Sequence, residues 1–201
     1  MQDRMSRQTP RDSGFNHLPA LRPESVSGRI RSIMVSRQEY RDAMARLGAA
    51  VNVITTASAA QPGRQQERCG FTASAVCSVT DDPPTLLVCM NRSSQRHATF
   101  ARNGILCVNV LSADQEALSN IFASSDNATG DAFAQAEWTT LTTGAPVLDG
   151  AVVSFDCRIA QATDVGTHTV FFCEVEAIRT GPSHEGLIYF GRGYHKIIKL
   201  P

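Results

Sequence analysis

The stretch Cys69–Met90, CGFTASAVCSVTDDPPTLLVCM, constrains the fold more than any other part of this chain. Its first half, Gly70-Phe71-Thr72-Ala73-Ser74-Ala75, mixes small residues and hydroxyls with one aromatic. A packed core strand has little use for so many hydroxyls, whereas a strand lying against a flat polar ligand does. The chain breaks at Asp81-Asp82-Pro83-Pro84 and resumes with Thr85–Met90, an apolar run that reads as a buried strand. Asn91-Arg92-Ser93-Ser94 follows, a donor cluster where a helix is due to start. The whole reads as a ligand-holding strand pair followed by an anion-binding loop.

Around this stretch the pattern is mostly β. Ser36-Arg37-Gln38-Glu39 is a capping box, followed by Tyr40, Ala43, Met44 and Leu47 at helical spacing, with Gly48 as a stop. Ala50–Thr56 is a β-branched strand, and residues 57–68 read as a hairpin loop. His97–Arg102 reads as a short helix stopping near Gly104, and Ile105–Leu111 as a buried strand carrying Asn109. Ser112-Ala113-Asp114-Gln115 is a second capping box, opening a helix through Leu118, Ile121 and Phe122. Ser124–Gly130 reads as a polar loop, and Asp131–Ala136 as a helical turn around Phe133.

From Ala151 the chain turns to strands. Val153, Phe155, Cys157 and Ile159 alternate with Ser154, Asp156, Arg158 and Ala160, a half-buried antiparallel pattern. Asp164-Val165-Gly166-Thr167 gives a turn, Thr169–Ile178 a long strand and Leu187–Phe190 another. Gly191-Arg192-Gly193 makes a tight turn, and Tyr194–Leu200 is expected to close the sheet. Six or seven mostly hairpin-linked strands with peripheral helices predict a mainly β fold, a β-barrel. Regular βαβ alternation is absent, which argues against a doubly wound sheet.

Composition excludes several partners. The 201 residues suffice for one domain with its own core, here expected over 35–201, preceded by a disordered extension over 1–34 that holds Pro10, Pro19 and Pro23. Formal charge is zero, so nothing in bulk electrostatics draws nucleic acid or an anionic membrane. No apolar run nears the roughly 20 residues of a membrane span, and the polar N-terminus makes the cytoplasm the expected location. The six cysteines form no C-x-x-C pair and are expected as buried free thiols, with no metal site.

No dinucleotide fingerprint, phosphate loop, nucleophile elbow or H-E-x-x-H helix is present. Polar groups in apolar settings remain. Asn91, Arg92, Ser93 and Ser94 are either an ordinary cap with a surface arginine or a phosphate site at a helix start. His168 is either an exposed turn histidine or a group at a barrel rim. Asn109 either satisfies backbone groups or contacts a ligand. Tyr194, beside Gly191-Arg192-Gly193, is a rim aromatic or a core residue.

Taken in order, these pieces resemble the short-chain flavin reductase family, the reductase components of two-component flavin-dependent monooxygenases. The resemblance runs from Tyr40-Arg41-Asp42-Ala43-Met44 and Val53-Ile54-Thr55-Thr56 through Gly70–Ser74, Pro83-Pro84 and Asn91-Arg92-Ser93. It continues through Cys107–Leu111, Phe122-Ala123-Ser124, Gly166-Thr167-His168 and Tyr194-His195. Within the family, Gly70–Val79, Gln115–Ser119 and Ser154–Ile159 are most similar to the uracil-degradation (Rut) branch.

The resemblance implies a homodimeric split β-barrel of the FMN-binding type. It implies FMN or FAD at the subunit interface and NADH or NADPH as hydride donor. Carried across, Cys69, Gly70, Phe71, Thr72, Ser74 and Ala75 line the flavin ring. Cys89, Met90, Asn91, Arg92, Ser93, Ser94 and Gln95 hold the ribityl chain and phosphate. Ala123, Ser124 and Phe133 close the site, with Asn109 counted among the contacts. His168 is the catalytic candidate that meets the nicotinamide, beside the turn Phe190, Gly191, Arg192, Gly193 and Tyr194. The implied activity is NAD(P)H:flavin oxidoreduction that supplies reduced flavin to a partner monooxygenase. The competing reading is a flavin- or haem-binding split-barrel module without turnover.

Overall fold

The computed structural model describes residues 35–63, 66–124 and 132–198. Fifteen elements follow one another. They are α1 (Arg37–Met44), β1 (Ala49–Ala50), β2 (Asn52–Ala57), β3 (Arg68–Ala73), β4 (Val76–Asp81) and β5 (Pro84–Asn91). Next come α2 (His97–Asn103), β6 (Ile105–Val110), α3 (Glu116–Ala123), β7 (Trp138–Thr140) and β8 (Pro146–Leu148). The chain ends in β9 (Val153–Val165), β10 (His168–Thr180), β11 (Gly186–Phe190) and β12 (Gly193–Ile197).

Seven strands form one antiparallel sheet in the order β3-β2-β6-β9-β10-β5-β4. A flat sheet would hold β3 and β5 about 24 Å apart at the usual strand spacing. Yet β3 packs against β5, so the sheet curls back on itself. Its inner face closes around Ile54, Val88, Met90, Leu106, Val108 and Phe171, with Phe100 of α2 inserted among them. A second core, built on Val53, Leu111, Leu118, Phe122, Phe133 and Leu148, holds α3 to the back of β2 and β3.

The β5–β10 register follows from burial. Leu86, Val88 and Met90 face Cys173, Phe171 and Thr169 across the pair, and all six are buried. A one-residue slip would set these inward groups against outward ones. The same register places Asn91 opposite His168.

Asn109 is fully buried in β6, and its amide is wholly engaged by protein. Nδ2 donates to the Val53 carbonyl (3.1 Å) and Thr55 Oγ1 (3.2 Å). Oδ1 accepts from the Leu148 N–H and the Ser154 hydroxyl, both at 2.9 Å. The expected ligand contact is therefore corrected: Asn109 ties β2, β6, β8 and β9 together.

Other expectations shift as well. α1 ends at Met44 with Ala45 as its cap, and no residue of it is buried. At the second capping box, Gln115 Oε1 accepts from the Ser112 N–H. The Ser112 hydroxyl turns instead to Asp114, so α3 starts only at Glu116. β12 pairs with β11 in a separate three-stranded sheet with β1 and does not close the main one. β7 and β8, which the pattern did not reveal, make a small hairpin of their own. The expected extension over 1–34, most of the loop over 124–130, Asp131, and the end of the last strand lie outside the described residues.

The Asn109 network predicts the first variant. Asn109→Ala leaves the Leu148 N–H and the Ser154 hydroxyl without their acceptor in a dry core and should lower stability by about 2–4 kcal/mol. Urea unfolding measures it, and a loss below about 0.5 kcal/mol, the usual surface value, would contradict the structural role.

Candidate functional site

β3, β5, the loop after β5 and α3 enclose a cleft of about 420 Å³. Phe71, Thr72, Met90, Phe122 and Ala123 form its wall, and Asn91, Ser93, Ser94, Gln95 and Arg96 form one end. Of the hydroxyls in the Gly70–Ala75 stretch, that of Thr72 belongs to this lining. Phe122 is fixed by edge contacts to Phe133 (5.2 Å) and Trp138 (5.8 Å). Gly70 lies directly behind it, where an added Cβ would stand 2.7 Å from the Phe122 ring. Only glycine lets the ring sit this close to β3.

Hydroxyl directions follow from proton counting. Thr72 Oγ1 donates to the Ser119 carbonyl at 2.6 Å, so toward anything else it can only accept. The Ser119 hydroxyl in turn meets the Tyr194 hydroxyl at 2.9 Å. A hollow of about 250 Å³, sharing Thr72 and Ala123 with the cleft, continues past Ser74, Tyr189 and Tyr194. Beyond it runs a groove of about 830 Å³ between α1 and β4–β5, bordered by Ser74, Ala75, Cys89 and Arg192.

At the other end the loop folds onto itself. Asn91 Oδ1 accepts from both the N–H and the hydroxyl of Ser93, each at 2.9 Å. The Arg92 N–H donates to the Thr167 carbonyl, the Ser94 N–H to the Asn91 carbonyl and the Arg96 N–H to Ser94 Oγ. These amides are therefore committed within the protein. α2 is short, and its cap residue Arg96 makes no side-chain cap bond. The helix-start amides expected to receive an anion are thus mostly engaged. Ser94, accepting from Arg96, keeps its own hydroxyl proton to donate.

The two arginines of this loop differ. Arg92 does not line the cleft; its guanidinium pairs with Asp164 at 3.3 Å on the β9–β10 hairpin. Asp164 also accepts from Thr169 Oγ1 at 2.6 Å. Because Thr169 has one proton, His97 Nε2, 2.8 Å away, must be the donor to it. Arg96 does line the cleft, and its Nη1 and Nη2 donate to the carbonyls of Phe122 (3.2 Å) and Ser124 (2.8 Å).

Of the residues singled out from sequence, the cleft gathers Phe71, Thr72, Met90, Asn91, Ser93, Ser94, Gln95 and Ala123. Cys69 and Gly70 are buried behind its wall, and Phe133 backs Phe122. Ser124 holds Arg96 by its carbonyl. Ser74, Ala75 and Cys89 border the neighbouring depressions. The turn after Phe190 packs on α1, with the Gly191 N–H donating to the Ala45 carbonyl and Arg192 paired to Asp42. Gly193 opens β12 behind that turn. His168 is exposed and stands one strand from the rim, with its Nδ1 2.9 Å from the Thr167 hydroxyl. Sequence reasoning missed Arg96 and Phe122. The donor run that ends one residue short of Arg96 was the available signal.

Burial pushes the thiols of Cys69, Cys107, Cys157 and Cys173 up, that of Cys173 to about 12, so these four stay protonated at neutral pH. Cys77 departs from the expected burial and is exposed. Among the described residues no group of His, Cys, Asp and Glu is arranged to hold a metal ion, and no helix is long and apolar enough to cross a membrane.

Comparison with known proteins supplies the family. The profile of the flavin reductase like domain matches residues 44–197. An Ancylobacter novellus protein named FMN reductase (NADH) RutF is 53% identical over 178 residues, spanning 89% of this chain and 94% of its own length. A crystal structure of a candidate flavin reductase from Haemophilus somnus 129PT superposes with a TM-score of 0.74 at 45% identity, covering 81% of this chain and 100% of the other. The Streptomyces globisporus C-1027 NADH:FAD oxidoreductase SgcE6, solved with NAD and FAD fragments, gives 0.72 at 27% identity over 81% of this chain and 93% of its own. The curled antiparallel sheet, the hydroxyl-walled cleft and these matches together establish that the chain belongs to the flavin reductase family, in its Rut-type branch.

Proposed function

We infer that this protein is an NADH-dependent FMN reductase that hands reduced flavin to a partner monooxygenase. The observation that carries the reading is the cleft itself. One end offers hydroxyls and a guanidinium, the wall is aromatic and hydroxyl-bearing, and His168 stands beside the rim across the β5–β10 pair. The cleft, about 420 Å³, lies in the size range of small-molecule sites, and a hollow of about 250 Å³ adjoins it. Relatives at 51–54% identity carry the name FMN reductase (NADH); FAD and NADPH are compatible alternatives.

The residues fit a flavin. Thr72 Oγ1, with its own proton committed to Ser119, suits a ring N–H. Phe71 and Phe122 supply apolar surface for a flat ring, and Ser94, Asn91 and Arg96 supply donors for a ribityl phosphate. His168, opposite Asn91 at the end of β5, is the group we assign to the nicotinamide nucleotide. Flavin and nicotinamide, when bound, supply the hydride chemistry themselves. The chain's own task is to place two rings together and exclude other geometries. The open cleft also suits a flavin that leaves after each turnover.

We propose a homodimeric split barrel as part of the same reading. Tyr40, Met44 and Leu47 of the α1 region are 58%, 42% and 62% exposed, and Phe190 beside them is 43% exposed. An amphipathic helix whose apolar residues find no core among the described residues is suited to a second copy. Ser74, Ala75 and Cys89 border that groove, so their contact with a flavin belongs to the assembled dimer.

The decisive assay follows NADH absorbance with and without FMN, and turnover that requires added flavin is the expected result. No oxidation of NADH or NADPH with any flavin would overturn the reading. His168→Ala should raise KM for NADH more than KM for FMN; the reverse pattern would remove His168 from the donor site. Gly70→Ala forces the Phe122 ring to shift and should raise KM for FMN by up to about a hundredfold, the scale of an ångström-sized misplacement. An unchanged KM in that variant would show that Phe122 does not shape the flavin site.

A further inference from the structure

The two arginines of the Asn91–Arg96 loop carry an assignment opposite to the one their spacing suggests. We propose that Arg96 provides the cation for the flavin phosphate, and that Arg92 is a staple joining this loop to the β9–β10 hairpin. The assignment rests on the reading of the cleft as a flavin site.

Four observations lead to it. First, Arg96 is the one charged side chain among the described residues lining the cleft, and Arg92 does not line it. Second, the charges are balanced differently. Arg92 faces the Asp164 carboxylate, whereas Arg96 donates to two neutral carbonyls and has no ion-pair partner among the described residues. A guanidinium held by carbonyls keeps its full charge for an arriving anion, and three of its five N–H groups stay free for it. Third, Arg96 is the more buried of the two, Arg92 being exposed, so water screens Arg96 less. Fourth, the loop amides of Arg92, Ser93, Ser94 and Arg96 already have acceptors. A phosphate bound here therefore draws chiefly on side chains, and Arg96 is the cation among them.

Arg92 is tied to the hairpin twice, by its N–H to the Thr167 carbonyl at 3.0 Å and by its guanidinium to Asp164. Asp164 is held in turn by Thr169, and Thr169 by His97 at the head of α2. This chain runs beside His168, so it fixes the donor residue relative to the flavin loop. Arg92 is a positioning residue for the hairpin, and its removal should register on the nicotinamide side.

Riboflavin, which is FMN without its phosphate, separates the two roles. KM for FMN and for riboflavin should be measured for the unaltered protein, Arg96→Gln, Arg96→Lys and Arg92→Gln. The preference of the unaltered protein for FMN should fall on the order of ten- to a hundredfold in Arg96→Gln, the range for losing a charged hydrogen bond. Riboflavin turnover should persist there, which shows that the variant is folded. Arg96→Lys keeps the charge and should restore part of the preference, and it answers the question if Arg96→Gln does not fold. Arg92→Gln should keep the FMN preference and raise KM for NADH. Loss of the preference in Arg92→Gln but not in the Arg96 variants would overturn the proposal and leave the flavin cleft standing. An unchanged preference in all three variants would overturn the proposal together with the cleft as the phosphate site.

Discussion

The β5–β10 pairing is the constraint on which the rest depends. Its register is locked by Leu86, Val88 and Met90 meeting Cys173, Phe171 and Thr169 on the buried face. Because side chains alternate along a strand, that burial also decides what emerges where β5 ends and β10 begins. Asn91 and His168 emerge there as direct neighbours, about 5 Å apart at Cβ by the geometry of antiparallel pairs. The loop that follows Asn91 and the turn that precedes His168 are thereby brought together, and the Arg92 N–H closes the seam on Thr167. Hydrophobic packing inside the sheet thus fixes the polar geometry outside it.

A second layer of support lies behind the cleft wall. Gly70 admits the Phe122 ring, Phe133 and Trp138 clamp it, and Arg96 fastens the Phe122 and Ser124 carbonyls to the loop. Arg96 therefore serves both the wall and the polar end of the cleft. Thr72 Oγ1 bonded to the Ser119 carbonyl, and the Ser119 hydroxyl bonded to that of Tyr194, make a parallel link from the cleft to the small β1-β11-β12 sheet. The site is held from several elements that are far apart in sequence, which suits a pocket that must keep its shape while ligands come and go.

Much of this was legible in the chain because the signals are local. Thr72 and its neighbours carry too many hydroxyls for a core strand, and Thr85–Met90 is bounded by prolines and polar residues. Val153–Ala160 alternates, so β9 was foreseen, although it runs on to Val165. The roles that escaped depend on distant partners. Asn109 looks the same in sequence whether it meets a ligand or, as here, Leu148, Ser154 and Val53. Arg92 and Arg96 can be told apart only once Asp164 and the Phe122 carbonyl are seen beside them. α1 kept its periodicity but not its burial, since its apolar side has no core to meet within the described chain.

A crystal structure of the protein with bound FMN tests the account most directly. The phosphate is expected within hydrogen-bonding distance of the Arg96 guanidinium and the Ser94 hydroxyl, with the ring carried toward Thr72 and Phe122. A phosphate bound by Arg92, or a flavin seated wholly in the groove between α1 and β4–β5, would contradict it.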